Sequence, residues 1–224
     1  MDKIIPSFKN SLFNGENSIK DDLIDIAEFG IDSILDNGVI KDIPIVRTLV
    51  GIRKTAQNIQ DRNLLKQTLT FINEFNSGTI DEEKLKKYQN EINNDSVKAE
   101  KELGRIIILL DRFIENEKSK MLARLYKAYI NQKITWDEFC EFSEIINRLF
   151  IQDIGVLTKM RNLEIDTMYS KEEAFKVERL HSLGLAGIAE KPLTWGDLKD
   201  GHVNMVRALS IIGRKFYDIV LKEK

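Results

Sequence analysis

One cysteine, two histidines and three prolines are all that the 224 residues contain of those types, and each scarcity closes off chemistry. The single thiol, Cys140, cannot form an intrachain disulfide, and a cysteine-based metal site would need its other ligands elsewhere. His181 and His202 leave few candidates for a general base. Neither stands near Cys140 in sequence, and no Gly-x-Ser-x-Gly elbow is present, so nucleophilic catalysis has no visible machinery. Phosphate-binding loops of the Walker or dinucleotide type are missing as well. Charge of one sign is missing too. The 34 basic and 36 acidic side chains leave a net charge of −2, whereas general affinity for polyanions rests on clustered Lys and Arg. No apolar run approaches the roughly 20 residues that a membrane span needs. The first residues lack a basic region followed by an apolar stretch and a cleavage site, so no signal peptide is expected and a reducing cytoplasm is the expected compartment.

What is present is helical periodicity. Apolar content of 42% with 31% charged residues suits a folded chain able to bury a full core, and disorder would need fewer large apolar side chains. Apolar residues spaced three and four apart through most of the chain predict a mainly α protein. It reads as a multi-helix bundle followed by a small winged-helix-like (α+β) C-terminal domain. Residues 1–17, with Pro6, Asn14, Gly15 and Asn17, read as a flexible N-terminal arm. The bundle is expected over 18–150, with about seven helices. Ile19 to Leu35 predicts one, stopped by Asn37-Gly38. Pro44 suits the first turn of the next, whose stripe is Ile45, Leu49, Ile52, Ala56 and Ile59; Asp61 restarts or continues it to Phe75. Thr79-Ile80-Asp81-Glu82 and Thr135-Trp136-Asp137-Glu138 have the form of capping boxes, in which the Thr hydroxyl and the Glu carboxylate satisfy each other's exposed backbone N–H. Asn94-Asp95 separates a polar helix from a longer one carrying Leu103, Ile106, Ile107 and Leu110. Residues 151–168 read as a connecting segment and 169–224 as the C-terminal domain.

Several constellations invite a chemical reading. Asp111 and Glu115 are spaced to share one helix face, and Asp137, Glu138, Glu141 and Glu144 offer more pairs. Helix-borne di-metal sites use Glu-x-x-His motifs, and neither histidine here has an acidic partner at that spacing. The acids therefore read as solvated faces, and no metal or cofactor is expected. Arg105 near Asp111-Arg112, and Arg148 near Asp153, read as ion pairs. Cys140, between Phe139 and Phe142, reads as a buried small hydrophobe. Val39 to Ile52 is the most apolar N-terminal window. Lys41, Asp42 and Arg47 interrupt it, but Arg47, Arg53 and Lys54 beside an apolar stripe would suit peripheral membrane contact.

The C-terminal third has an order of its own. Lys171 to Ser182 predicts a helix stopped by Gly184, Leu185 to Ala189 a strand, and Val203 to Leu209 a second strand after a loop with Pro192 and Gly201. Ser210 then opens a last helix. The phrases Arg179-Leu180-His181-Ser182-Leu183-Gly184-Leu185 and Leu209-Ser210-Ile211-Ile212-Gly213-Arg214-Lys215-Phe216 resemble those of winged-helix domains, over about a quarter of the chain. In such domains the helix before the wing enters the DNA major groove. Here that helix carries Lys171, Lys176 and Arg179 against Glu172, Glu173 and Glu178. Residues 151–224 hold 12 basic and 11 acidic side chains, so the resemblance implies a fold without implying DNA contact. The middle, Leu122 to Ile130 with Ile134 to Phe139, resembles a helical bundle of tellurite-resistance-B type. Gly38 to Pro44 resembles a Gly-x-x-x-Asp-Ile-Pro stretch of uncharacterised bacterial proteins, which implies a regulatory or phage-conflict setting. The expected function is recognition of a protein partner, or of a second copy, without catalysis. Ile45, Leu49, Tyr126, Tyr129 and Trp195 are the candidate contacts. A DNA-binding regulator using Lys171, Lys176, Arg179, Lys191 and Lys199 is the alternative, and peripheral membrane association through residues 39–54 the third reading.

Overall fold

A computed structural model describes residues 3–13, 42–52, 59–78, 80–163, 165–166, 171–190 and 205–222. The helix expected over Ile19–Leu35, and the loop containing Lys191, Trp195, Lys199 and His202, lie outside the described residues. The chain is mainly helical, with ten α-helices and one small sheet among the described residues. It forms two compact units, residues 1–143 and 144–224.

The first unit begins with α1 (Ile4–Phe13), where a flexible arm was expected. Pro6 sits in the first turn of α1, a position that tolerates it, and Ile5, Phe8 and Leu12 at helical spacing are all buried. Ser11 tightens the junction by accepting a hydrogen bond from the backbone N–H of Ile45 at 2.9 Å, so it supplies an acceptor to the first turn of α2 (Pro44–Ile52). The Ser7 and Thr48 hydroxyls are bonded at 2.6 Å.

Helix α3 (Ile59–Asn76) is the centre of this unit. From Leu64 to Ile72 it buries side chains on almost every face, and it packs on α1, α2, α5 and α6. Helices α4 (Glu82–Asn94) and α5 (Ser96–Arg112) follow. Thr79 of the expected capping box lies outside the described residues; the N-cap of α4 is Asp81, whose carboxylate accepts from Lys84 N–H at 3.0 Å, and a short carboxylate is among the best N-caps. Asp95 ends α4 and caps α5, accepting from Lys98 N–H at 2.9 Å. Helix α6 (Asn116–Ile130) packs on α3. Thr135 and Glu138 form the expected reciprocal box, with bonds of 2.9 and 3.2 Å, at the start of α7 (Trp136–Arg148).

One buried amide shapes the α5–α6 corner. Gln67 is fully buried. Its amide N–H groups donate to the Ile114 carbonyl at 2.9 Å and to the Asn63 and Asn116 side-chain oxygens at 3.2 Å. Ser119 donates to its oxygen at 2.6 Å. Both protons of the amide and its oxygen are thus engaged. Gln67→Leu, nearly isosteric, strands these partners and should cost about 2–4 kcal/mol by chemical denaturation; an unchanged midpoint would contradict that role.

In the second unit, residues 151–161 and 165–166, part of the expected connector, form regular elements. A 3-10 turn (Ile151–Asp153) leads into α8 (Ile154–Arg161) and β1 (Ile165–Asp166). Val156, Leu157 and Met160 of α8 belong to the core, which is why the segment cannot be a loose link. Then come α9 (Lys171–Ser182), β2 (Ala186–Glu190), β3 (Met205–Leu209) and α10 (Ile211–Val220). The sheet is antiparallel with order β1-β3-β2; Arg207 of β3 pairs with Ile165 on one side and Ile188 on the other. Helix α9 ends at Ser182 and the chain turns at Gly184, whose φ is +74°, a conformation that favours glycine. Leu185 N–H then bonds the Leu180 carbonyl at 3.0 Å. Ser210 caps α10 by accepting from Gly213 N–H at 2.9 Å and donates to the Gly184 carbonyl at 2.6 Å.

Candidate functional site

The first concentration of chemistry lies inside the first unit. Glu102 on α5 occupies a core position between Ala99 and Leu103, and is only 4% exposed. Its two oxygens are met by two phenols. Tyr88 of α4 donates to Oε2 at 2.5 Å, and Tyr129 of α6 donates to Oε1 at 2.9 Å. The Tyr126 hydroxyl lies 2.6 Å from that of Tyr88. Tyr88 has one proton and gives it to Glu102, so Tyr126 is the donor in that second bond. Lys98 stands at the mouth, 3.9 Å from Glu102 Oε1, and is bonded to Glu91. The directions form one relay ending on the Glu102 side chain. Phe71, Phe75, Phe139 and Trp136 extend the ring cluster around it.

This cluster corrects the reading of the aromatics. Tyr126, expected at an exposed contact surface, is fully buried, and Tyr129 is half-buried. Their rings lie on the packed face of α6, and the core supplies partners for their hydroxyls. Ile45 and Leu49 are buried as well, on α2, which packs against α1. Ile45 and Leu49, from the stripe proposed for partner or membrane contact, are thus covered by the chain itself. Ile59, placed in that stripe, is 83% exposed at the start of α3. No helix of the described residues is long and apolar enough to cross a membrane.

Burial pushes the hydroxyl pKa of Tyr88, Tyr126 and Tyr129 upward, and the Glu102 carboxylate adds to the rise in each. A phenol in the unfolded chain titrates near pH ~10. The folded values lie above that, so the stability these hydroxyls confer is complete below about pH 10 and is lost as pH rises beyond it. Part of the phenolate absorbance should therefore appear in one cooperative step, together with the loss of helical circular dichroism. Ionisation of all five tyrosines before any unfolding would contradict the burial.

The other sequence candidates fall differently. Asp111 and Glu115 do not share a helix face, because α5 stops at Arg112 and Phe113 is extended. Asn63 holds the Phe113 carbonyl at 2.6 Å, and Gln67 holds that of Ile114. Among the described residues, no group of three His, Cys, Asp or Glu side chains could hold a metal ion. Cys140 is partly exposed rather than buried; desolvation pushes its thiol pKa up, with Arg105 pulling it part-way back. Arg105 reaches Ser143 Oγ and the Cys140 carbonyl, across to α7 rather than along its own helix toward Asp111.

Asp153 pairs with Arg179, not with Arg148. The guanidinium donates to both carboxylate oxygens, at 3.0 and 2.6 Å, and Asp153 is 1% exposed. A flat, two-pronged donor fits a carboxylate better than one contact from a side chain nearer in sequence. The same guanidinium lies over two rings, 4.4 Å from the Phe150 centroid and 4.9 Å from that of Phe175. Those rings are 53% and 52% exposed. Around them, Lys159 pairs with Glu173, and Arg207 with Glu178 at 3.8 Å. Of the nucleic-acid candidates, Arg179 is thus spent on Asp153, Lys176 is half-buried on α9, and Lys191 and Lys199 lie outside the described residues. Phe150 and Phe175 were not singled out in the sequence, and Asp153 was assigned to Arg148. Two aromatics and an acid met by one arginine is a pattern that only the return of α9 toward the 3-10 turn creates.

Comparison with protein families, with characterised proteins and with solved structures returned no match to this chain.

Proposed function

We propose that the chain is a non-catalytic recognition protein that binds another protein through its second unit, in a regulatory or phage-conflict setting. The observation that carries this reading is the Phe150–Arg179–Phe175 stack. Two half-exposed rings lie against a guanidinium that is itself fixed to a buried carboxylate. Aromatics and arginine dominate interface hot spots, and side chains already held in place lose little entropy on docking. The reading of residues 169–224 as winged-helix-like is supported by their order helix, strand, strand, helix and by the pairing of β3 with both β1 and β2. DNA binding draws no support from the electrostatics, because Lys159, Arg179 and Arg207 are each paired with a carboxylate of the same unit, which reduces the positive potential available to phosphates.

The test is affinity capture from the native host with the wild-type chain and with Phe150→Ser/Phe175→Ser, followed by mass spectrometry. A protein retained by the wild type after nuclease treatment and lost by the double variant is expected. Equal retention by both would sink the proposal, as would a bound species destroyed by nuclease.

A further inference from the structure

A second feature lies in the first unit, far in sequence from the aromatic stack. A cavity of about 250 Å³ opens between α1 and the corner where α4 meets α5, lined by Ile5, Pro6, Lys9, Ile92, Asn93, Ser96, Ala99 and Glu100. Its floor is apolar and closed, since Ile5, Ile92 and Ala99 are each exposed by less than a tenth. Its rim is polar, with Lys9 contributed by α1 and Glu100 by α5. Elsewhere on α4 and α5 opposite charges find each other: Lys98 bonds Glu91, and Lys86 stands 3.9 Å from Glu82. Lys9 and Glu100 do not. Among the described residues neither has a hydrogen bond or an ion pair, and the same holds for the Asn93 and Ser96 side chains. One cation and one anion thus border a common cavity without meeting.

We propose that this cavity binds a free α-amino acid with an apolar side chain. The volume lies just below the usual range of ligand sites, which suits a molecule of that size and excludes a helix or a cofactor. A zwitterion presents its carboxylate to Lys9 and its ammonium group to Glu100, while its side chain covers Ile5, Ile92 and Ala99. Asn93 and Ser96 offer hydrogen bonds to the same two groups. A ligand of one charge would satisfy one rim residue and leave the other unmatched. This binding is independent of the protein-recognition surface on the second unit.

The experiment titrates L-leucine, L-leucinamide and N-acetyl-L-leucine into the full chain, read by saturation-transfer NMR and calorimetry. Leucine should bind in the millimolar range. Capping its carboxylate or its amine should weaken binding about 5-fold, the worth of one partly exposed ion pair. Lys9→Gln should bind leucine and leucinamide equally and still reject the acetylated form, and Glu100→Gln should show the converse. Absence of leucine binding at millimolar concentration overturns the proposal, and so does equal binding of all three ligands to the wild type.

Discussion

Replacing Gly213 by alanine should destabilise the second unit by about 2–4 kcal/mol, although alanine is the better helix former by about 1 kcal/mol. Gly213 is the third residue of α10, and a Cβ built on it would lie 2.1 Å from the Leu185 carbonyl oxygen and 2.9 Å from its carbon. Those are backbone atoms, so no side chain can swing aside. The same carbonyl accepts the Ser210 N–H at 3.0 Å. Moving α10 outward to relieve the clash would therefore pull on that bond and on the Ser210 cap. Gly155 on α8 is the control. Nothing lies within 4 Å of a Cβ added there, so Gly155→Ala should be neutral or stabilising, by up to about 1 kcal/mol. Thermal or urea unfolding of the two variants measures the contrast. Equal behaviour would mean that α10 does not sit on the β2 entry as described.

Glu102→Ala should cost about 3–5 kcal/mol, the largest effect of a polar substitution in the first unit. It leaves the Tyr88 and Tyr129 hydroxyls in apolar surroundings without their acceptor and opens a hole beside them. Direction matters within the relay. Tyr126→Phe removes only the terminal donor, leaving Tyr88 still bonded to Glu102, and should cost about 1 kcal/mol. Tyr88→Phe strands the Tyr126 proton and one carboxylate oxygen together and should cost roughly twice that. In a double-mutant cycle, Tyr88→Phe and Glu102→Ala should fall short of additivity, because the second change removes an interaction already lost. Additive losses would dissolve the relay into unconnected contacts.

The helices were legible in the sequence where a local pattern decides them. Thr135 and Glu138 form their box because both partners lie within one turn, and Ser210 caps α10 for the same reason. The strand after Gly184 and the strand before Ser210 stand where alternation and turn residues placed them. What was illegible depends on contacts across the chain. Residues 4–13 are too few and too close to Pro6 and Asn14 to declare a helix, and only packing of Ile5, Phe8 and Leu12 against α2, α3 and α5 makes one. Tyr126 and Tyr129 offered both a ring and a hydroxyl. Their partners, Tyr88 and Glu102, come from two other helices, so no spacing rule links them. One trace was visible, a glutamate at position 102 within the stripe of Ala99, Leu103 and Ile106, where a charge has no place unless something meets it. The stack on Arg179 left no such trace, since Phe150 and Phe175 each satisfy an ordinary helical pattern and Asp153 had a nearer candidate partner in Arg148.

The recognition account stands or falls on what touches Phe175. A photoreactive phenylalanine analogue at position 175, illuminated in the native host, tests this most directly when compared with the same analogue at the exposed Glu83 of α4. The account predicts a discrete protein adduct at 175, resistant to nuclease and absent at 83. An adduct to nucleic acid at 175, or no adduct that distinguishes 175 from 83, would contradict it.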